Sequence, residues 1–367
     1  MDLRIAIVTT SYPERVGDPA GHFIEAEAVH LALHGHEVHV IAPGPARDRG
    51  WSAASPLQSA LMFGTREPKV AQHGFGRLTV WNAGGGSLFG LPGALARARQ
   101  HPVRLLQLAP FLPAVAWRLR RLAPLDRIIA HFIVPSAYPL AFTAKSHLEV
   151  VLHGSDVQVV LALPAWLRHH IVDRLLMRGT VFRFVAEDLR AKFLAVLPPE
   201  QRRGVFASSR VELPRISVAH VRRRAVSQPR SSSGGLVSAN GDDGCPRWVV
   251  CARLVPSKRV DLAIREAARQ CAALTVIGDG PLRADLEALA SAFEPRARFT
   301  GQLPRGDALA LIADSHKLVH LSEAEGAPTV IREARALGVP VLATAVGDVA
   351  RWAAQDPGIE IFRPSPA

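Results

Sequence analysis

Two glutamates eight residues apart, Glu325 and Glu333, bracket a stretch suited to holding an anion and hydroxyl groups together. Between them, Gly326-Ala327-Pro328-Thr329 reads as a tight turn entering a helix, with Pro328 in the first turn and Gly338 just past the end. Proline suits that position because its missing N–H has no helical partner there, and glycine accepts the left-handed geometry that stops a helix. Such a helix start offers free backbone N–H groups and a positive dipole end, a site for a diphosphate. Glu333 lies five residues beyond Pro328, roughly 7–8 Å along a helix axis. An elongated ligand along this helix would then meet a carboxylate at each end. The plainer reading is that the first glutamate favours the dipole and the second is solvated.

The elements around this stretch alternate. Arg4 to Thr10 is a β-branched apolar run, as expected of a buried parallel strand. A Gly/Pro-rich loop to Gly21 leads to a helix over 23–33, and Val38 to Ala42 is a second strand. Units of this kind build parallel sheets with ligands at the carboxyl ends of the strands. The loop has no G-x-G-x-x-G, so a dinucleotide site is unsupported. Arg127 to His131 and Val150 to His153 end two further strands, the second followed by Gly154-Ser155-Asp156. Histidines there sit where an open sheet puts site residues, although each alone also suits a structural hydrogen bond. Residues 43–95, with Gly84-Gly85-Gly86, show no clean period.

The segment from Arg97 to Arg121 mixes arginines with an apolar run from Leu105 to Trp117 that Gln107, Pro110 and Pro113 interrupt. It suits an anionic headgroup layer, but a helix packed on the sheet with solvated arginines is the preferred reading. The run is too short to span a bilayer. Residues 223–246 are Ser/Gly/Pro-rich and read as a linker between a domain at 1–222 and another at 247–367. Arg222-Arg223-Arg224 has no stacking aromatics beside it, so a solvated charge cluster is expected and no nucleic acid. Alternation then resumes with strands at 248–253, 274–277, 298–300, 318–321 and 339–343, and helices at 260–268, 282–290 and 307–314. Two such domains leave a cleft between their strand ends, the usual place for a ligand.

The 367 residues allow two domains with real cores. Net charge is +12, carried almost wholly by arginine, since only five lysines are present. Residues 1–210 hold 24 basic and 15 acidic side chains, against 20 and 17 for 211–367, so the first domain is the one expected to face something anionic. Cys245, Cys251 and Cys271 lack zinc-like or paired spacing, which fits a reducing cytosol. The start of the chain lacks the flanks of a signal peptide, so a cytoplasmic protein, peripheral at most to a membrane, is expected.

In the order Arg253-Leu254-Val255-Pro256-Ser257-Lys258, Gly278-Asp279-Gly280-Pro281, then Glu325-Gly326 through Glu333-Ala334 with Gly338, the chain resembles family 4 of the retaining, nucleotide-sugar-dependent glycosyltransferases. Gly21-His22-Phe23, Gly35-His36-Glu37-Val38, His131 with Pro135, and His153-Gly154-Ser155-Asp156 extend the likeness to the first half. The resemblance implies an α/β protein of the GT-B fold, two facing Rossmann-like domains with parallel sheets and an interdomain cleft. It implies transfer of a sugar from a nucleotide diphosphate to a sugar or lipid-linked acceptor. Arg253 and Lys258 would neutralise the leaving diphosphate, one as a fork and the other as a point charge. N–H groups near Gly326 to Thr329, a stretch that includes Ala327 and the proline Pro328, would add the helix-end contribution. Glu325 would hold donor-sugar hydroxyls, Glu333 the ribose, and His153 would lie near the reacting carbon. Gly21, His131, Asp156, Gly278, Gly280 and Leu303 complete the implied substrate-binding set. No Asp-x-Asp stands in a suitable place, so neither a metal nor another cofactor is expected beyond the nucleotide sugar itself.

Arg259 stands where the family usually has glycine, and Ala327 replaces a common aromatic. The helices by which members usually cross back onto the first domain are also missing before Ala367, which implies a looser hinge. A non-catalytic nucleotide-sugar-binding relative and a GT-B epimerase are the alternatives. The intact Arg253, Lys258 and paired glutamates favour the transferase.

Overall fold

The computed structural model describes residues 2–13, 17–44, 69–73, 76–84, 88–89, 101–218, 221, 245–293 and 297–363. The chain divides into two compact units, Met1–Arg215 and Ile216–Ala367. Apart from Cys245 and Pro246, the expected linker at 223–246 lies outside the described residues, as do Arg97, Arg99 and Arg222 to Arg224.

In the first unit β1 (Arg4–Val8), α1 (His22–Leu33) and β2 (Glu37–Ala42) form the expected strand–helix–strand unit. A hairpin follows, β3 (Lys69–His73) and β4 (Gly76–Asn82), inside the stretch whose period was unreadable. Then come α2 (Leu108–Leu122), β5 (Arg127–His131), α3 (Tyr138–Thr143) and β6 (His147–Leu152). The unit closes with α4 (Ser155–Ala162), α5 (Ala165–Met177), β7 (Val181–Phe184), α6 (Glu187–Ala195), α7 (Pro199–Ala207) and β8 (Ser209–Val211). Its eight strands run in the order β3-β4-β2-β1-β5-β6-β7-β8. All neighbours are parallel except β3 with β4, so the sheet carries one antiparallel edge.

The second unit holds β9 (Arg247–Cys251), α8 (Val260–Arg269), β10 (Ala273–Ile277), α9 (Arg283–Ala290), β11 (Arg298–Gly301), α10 (Arg305–Ala313) and β12 (Lys317–His320). It ends with α11 (Thr329–Ala336), β13 (Val341–Ala343), α12 (Val349–Gln355) and β14 (Ile359–Ile361). This sheet is parallel throughout, in the order β11-β10-β9-β12-β13-β14.

The strands are near-continuous apolar runs because both faces are covered. Ile5, Ala6, Ile7 and Val8 of β1 have no exposed surface, and neither have Phe182 and Phe184 of β7. Each of these side chains other than Ala6 contributes about 1.5–3 kcal/mol. In α2 the buried residues are Phe111, Val115, Leu119 and Leu122, one helical stripe, while Arg120 and Arg121 stay outside. The segment thus packs on the protein as preferred. Pro113 falls inside α2, on its exposed side. Among the described residues, no helix is long and apolar enough to cross a membrane.

Both sheets reverse their winding once, between β1 and β5 in the first unit and between β9 and β12 in the second. At such a switch point the loops leaving the two strands diverge and open a crevice at their carboxyl ends. The loop after β9 carries Lys258, and the loop after β12 carries Glu325. In the first unit the strands nearest the switch point lead to α1, to His131 and to His153.

Candidate active site

Lys258, sixty-seven residues from Glu325 in the chain, donates a hydrogen bond to Oε1 of Glu325. It sits in a single 3-10 turn, Pro256–Lys258, started by a proline whose fixed φ suits the position. The next residue, Arg259, has φ +45°, the left-handed region, where the family usually has glycine. Its guanidinium bonds Asp261 at 3.1 Å and Glu323 at 2.8 Å, contacts that offset backbone strain of about 1 kcal/mol. The amide of Glu323 also donates to the carbonyl of Ser257 at 2.9 Å, which ties the two loops together.

His320, absent from the sequence-derived set, completes this cluster. It is the last residue of β12 and is buried. Its Nε2 lies 2.8 Å from the same Oε1 that Lys258 engages. Both contacts are to one carboxylate oxygen. Burial alone would raise the Glu325 pKa, but the hydrogen bonds and charges of His320 and Lys258 outweigh it and hold the carboxyl well below the usual carboxylate range. In the unfolded chain that carboxyl takes up its proton near pH 4.3. Stability from this cluster is therefore present above about pH 4.3 and is lost as the pH falls below it. Acid melts are expected to show a smaller loss in Glu325→Gln than in the wild type.

The turn after Glu325 is held from beneath. A Cβ at Gly347, whose φ is +56°, would meet the carbonyl oxygens of Glu325 and Gly326. Thr344 donates to the carbonyl of Ser322 at 2.5 Å. Pro328 proves to be the N-cap of α11, with extended backbone (ψ 111°), and the helix begins at Thr329, one residue later than expected. The amides at its start remain the natural partners of an anion. Gly338 has the expected positive φ, +84°.

Glu333 departs from the simple picture of an open carboxylate at the far end. It is buried, and Arg305 at the start of α10 makes an ion pair with it at 2.8 Å. Arg305 also donates to the carbonyl of Ser217 at 3.0 Å. Leu303 is half-buried in the loop between β11 and α10, next to this pair in sequence. Arg253 is exposed in the loop after β9. The Gly-Asp-Gly-Pro loop has a packing explanation: a Cβ at Gly278 or Gly280 would overlap the carbonyl oxygens of Ala252 and Leu254, which carry the Arg253 loop.

In the first unit, Gly21 is the N-cap of α1 with φ +67°, and a Cβ there would meet the carbonyl of Ser11. His131 is fully buried, and Nε2 of His153 lies 2.8 Å from its Nδ1. Asp156 faces inward: its carboxylate accepts the amides of His153 and Gly154, each at 3.0 Å, and shapes the loop that presents His153. Burial raises the Asp156 pKa against the pull of those amides. Burial also holds both histidines well below the usual imidazole value, helped by Arg183 near each and by His131 near His153. An unfolded chain takes up these two protons near pH 6.5 while the folded one does not, so stability falls as the pH drops below about 6.5. Thermal melts from pH 7.5 to 5 are expected to show this slope, reduced in His131→Gln.

A family model described as "Glycosyl transferases group 1" matches residues 240–356, the region that holds the Lys258–Glu325–His320 cluster. Over that region the chain is similar to the group 1 glycosyltransferases. The chain is 29% identical over 352 residues to a GDP-mannose-dependent alpha-mannosyltransferase of Mycolicibacterium smegmatis, covering 94% of this chain and 80% of that one. Among solved structures it superposes on HepE from Anabaena in complex with UDP, with TM-score 0.59 and 16% identity, over 99% of this chain and 86% of that one. Sucrose-phosphate synthase from Thermosynechococcus elongatus gives TM-score 0.62 at 17% identity over 99% and 86%. The likeness establishes the GT-B fold, with its two Rossmann-like parallel-sheet units.

Proposed function

We propose that the protein moves a mannosyl group from GDP-mannose to a hydroxyl of its acceptor, with retention at the anomeric carbon and without a divalent ion. The observation that carries this reading is the convergence of Lys258 and His320 on one oxygen of Glu325 beside the start of α11. Lys258, Arg253 and the N–H groups of Gly326, Ala327 and Thr329 supply positive charge for the diphosphate, the part a metal plays elsewhere. The second oxygen of Glu325 takes a donor-sugar hydroxyl, and Glu333, shared with Arg305, takes the ribose. His153 meets a hydroxyl of the reacting sugar. GDP-mannose is the first donor to try because of the mycobacterial relative's name. The basic first unit favours an anionic, lipid-linked acceptor at a membrane face.

The experiment is a melting panel of nucleotide sugars, followed by product analysis. GDP-mannose at a hundred-fold excess over its Kd is expected to raise Tm by about 5 °C. Turnover in EDTA with an α-linked product completes the reading. A shift with a UDP-sugar instead would replace the donor, and no shift with any donor would defeat the proposal. Flotation with anionic vesicles tests the membrane part, which fails if the protein stays in the soluble fractions.

A further inference from the structure

The paired histidines of the first unit are wired to a glutamate with no motif around it. Glu27 of α1 places its Oε2 3.7 Å from Nε2 of His131. Nδ1 of His131 lies 2.8 Å from Nε2 of His153, with the rings stacked at 5.1 Å between centroids. A neutral imidazole has one N–H and one lone pair, so a nitrogen–nitrogen contact of this length needs one donor and one acceptor.

The carboxylate decides which is which. An N–H on Nε2 of His131 points its positive end at Glu27, whereas a lone pair there would face a negative charge in a buried site. Nδ1 of His131 is then the acceptor, and His153 donates its Nε2–H to it. The lone pair of His153 consequently lies on Nδ1. Phe23 and Phe132 lie against the His153 ring, at 4.9 and 5.0 Å between centroids, and limit its rotation.

We propose that Glu27 is a positioning residue: through His131 it holds His153 in the tautomer whose Nδ1 accepts a hydrogen bond from a sugar hydroxyl. This rests on the part given to His153 in the proposed reaction. The charged groups around the relay come from every neighbouring element: Glu27 on α1, Arg127 on β5, Glu149 on β6, Arg183 on β7, Arg210 on β8 and Glu212 just after it. Arg183 pairs with Glu27 and lies 3.0 Å from Glu149, and its positive charge opposes a second proton on either ring. The relay therefore keeps one neutral form through the range where a free imidazole titrates.

Nitrogen-15 NMR of the histidine rings in the full chain tests this, with the His153 signals assigned by comparison with His153→Gln. The wild type is expected to carry the His153 proton on Nε2, with a bare Nδ1. Glu27→Leu removes the bias and is expected to give a mixed tautomer signature and about a ten-fold lower kcat/KM, the effect of losing one well-placed hydrogen bond. Glu27→Gln, whose amide oxygen still turns a partial negative charge toward Nε2 of His131, is expected to retain the wild-type signature and most of the rate. A wild-type proton on Nδ1 of His153, or an unchanged signature in Glu27→Leu, would overturn the proposal. The wild-type measurement decides the matter even if Glu27→Leu does not fold. A changed tautomer with unchanged rates would instead remove His153 from the reaction and leave the wiring in place.

Discussion

Lys258→Ala is expected to lower kcat/KM for sugar transfer by about a hundred- to a thousand-fold, with some fall in Tm because the largely buried Glu325 loses one of its two partners. The magnitude is that of removing one preorganised donor aimed at charge that develops in the transition state. In the proposed reaction negative charge grows on the diphosphate oxygens as they leave, and the ammonium on the loop after β9 would offset it. The loss has a second component. Lys258 and His320 share Oε1 of Glu325, so the lysine also fixes the orientation in which the other oxygen is offered. Without it, His320 alone holds the carboxylate. Lys258→Arg is expected to recover part of the rate, since charge returns but the reach and shape of the donor differ. Radiolabelled donor and a purified acceptor fraction give the rates, and melts of the same samples report folding. A wild-type rate in Lys258→Ala would remove the diphosphate site from this position.

The second large effect concerns stability. Glu149→Gln is expected to destabilise the first unit by about 3–5 kcal/mol, the usual consequence of removing one partner from a buried ion cluster. Glu149 is completely buried on β6. Its carboxylate meets Arg127, Arg183 at 3.0 Å and Arg210 at 2.8 Å. Glutamine keeps the shape but removes the charge, leaving three guanidiniums with Glu27 and Glu212 for company. Tm is then expected to fall by about 10 °C. Lys317 and Glu360 form an exposed pair at 2.9 Å, and Glu360→Gln is the control, expected to cost less than about 1 kcal/mol. Equal shifts in the two variants would show that burial around Glu149 does not amplify its charge.

The two predictions also separate what was legible in the chain from what was not. The strand–helix alternation was readable from apolar runs bounded by Gly and Pro, because a strand covered on both faces excludes polar side chains. The hairpin β3–β4 escaped because the residues flanking it carry no period. Elements α4 to α7 also went unread, since their helices are short and their buried positions few. Near the site, Lys258, Glu325 and Glu333 stood out by type and spacing. Gly278 and Gly280 stood out equally, although what they satisfy is the close approach of the Ala252 and Leu254 carbonyls.

Sequence alone determined that this is an alternating α/β chain with a helix start flanked by two acidic residues and a lysine on an earlier loop. Those are local properties, decided by side-chain type and by intervals of a few residues. Only the tertiary structure decided that Lys258 and His320 meet on one oxygen of Glu325, that Arg305 takes Glu333, and that Glu27 stands behind His131 and His153. The physical reason is sheet order. β9 and β12 become neighbours across three intervening helices, and β1 and β5 across more than a hundred residues, so loops distant in the chain share one end of a sheet. Spacing along the sequence carries no record of that adjacency, and the hydrogen-bonded register of parallel strands creates it.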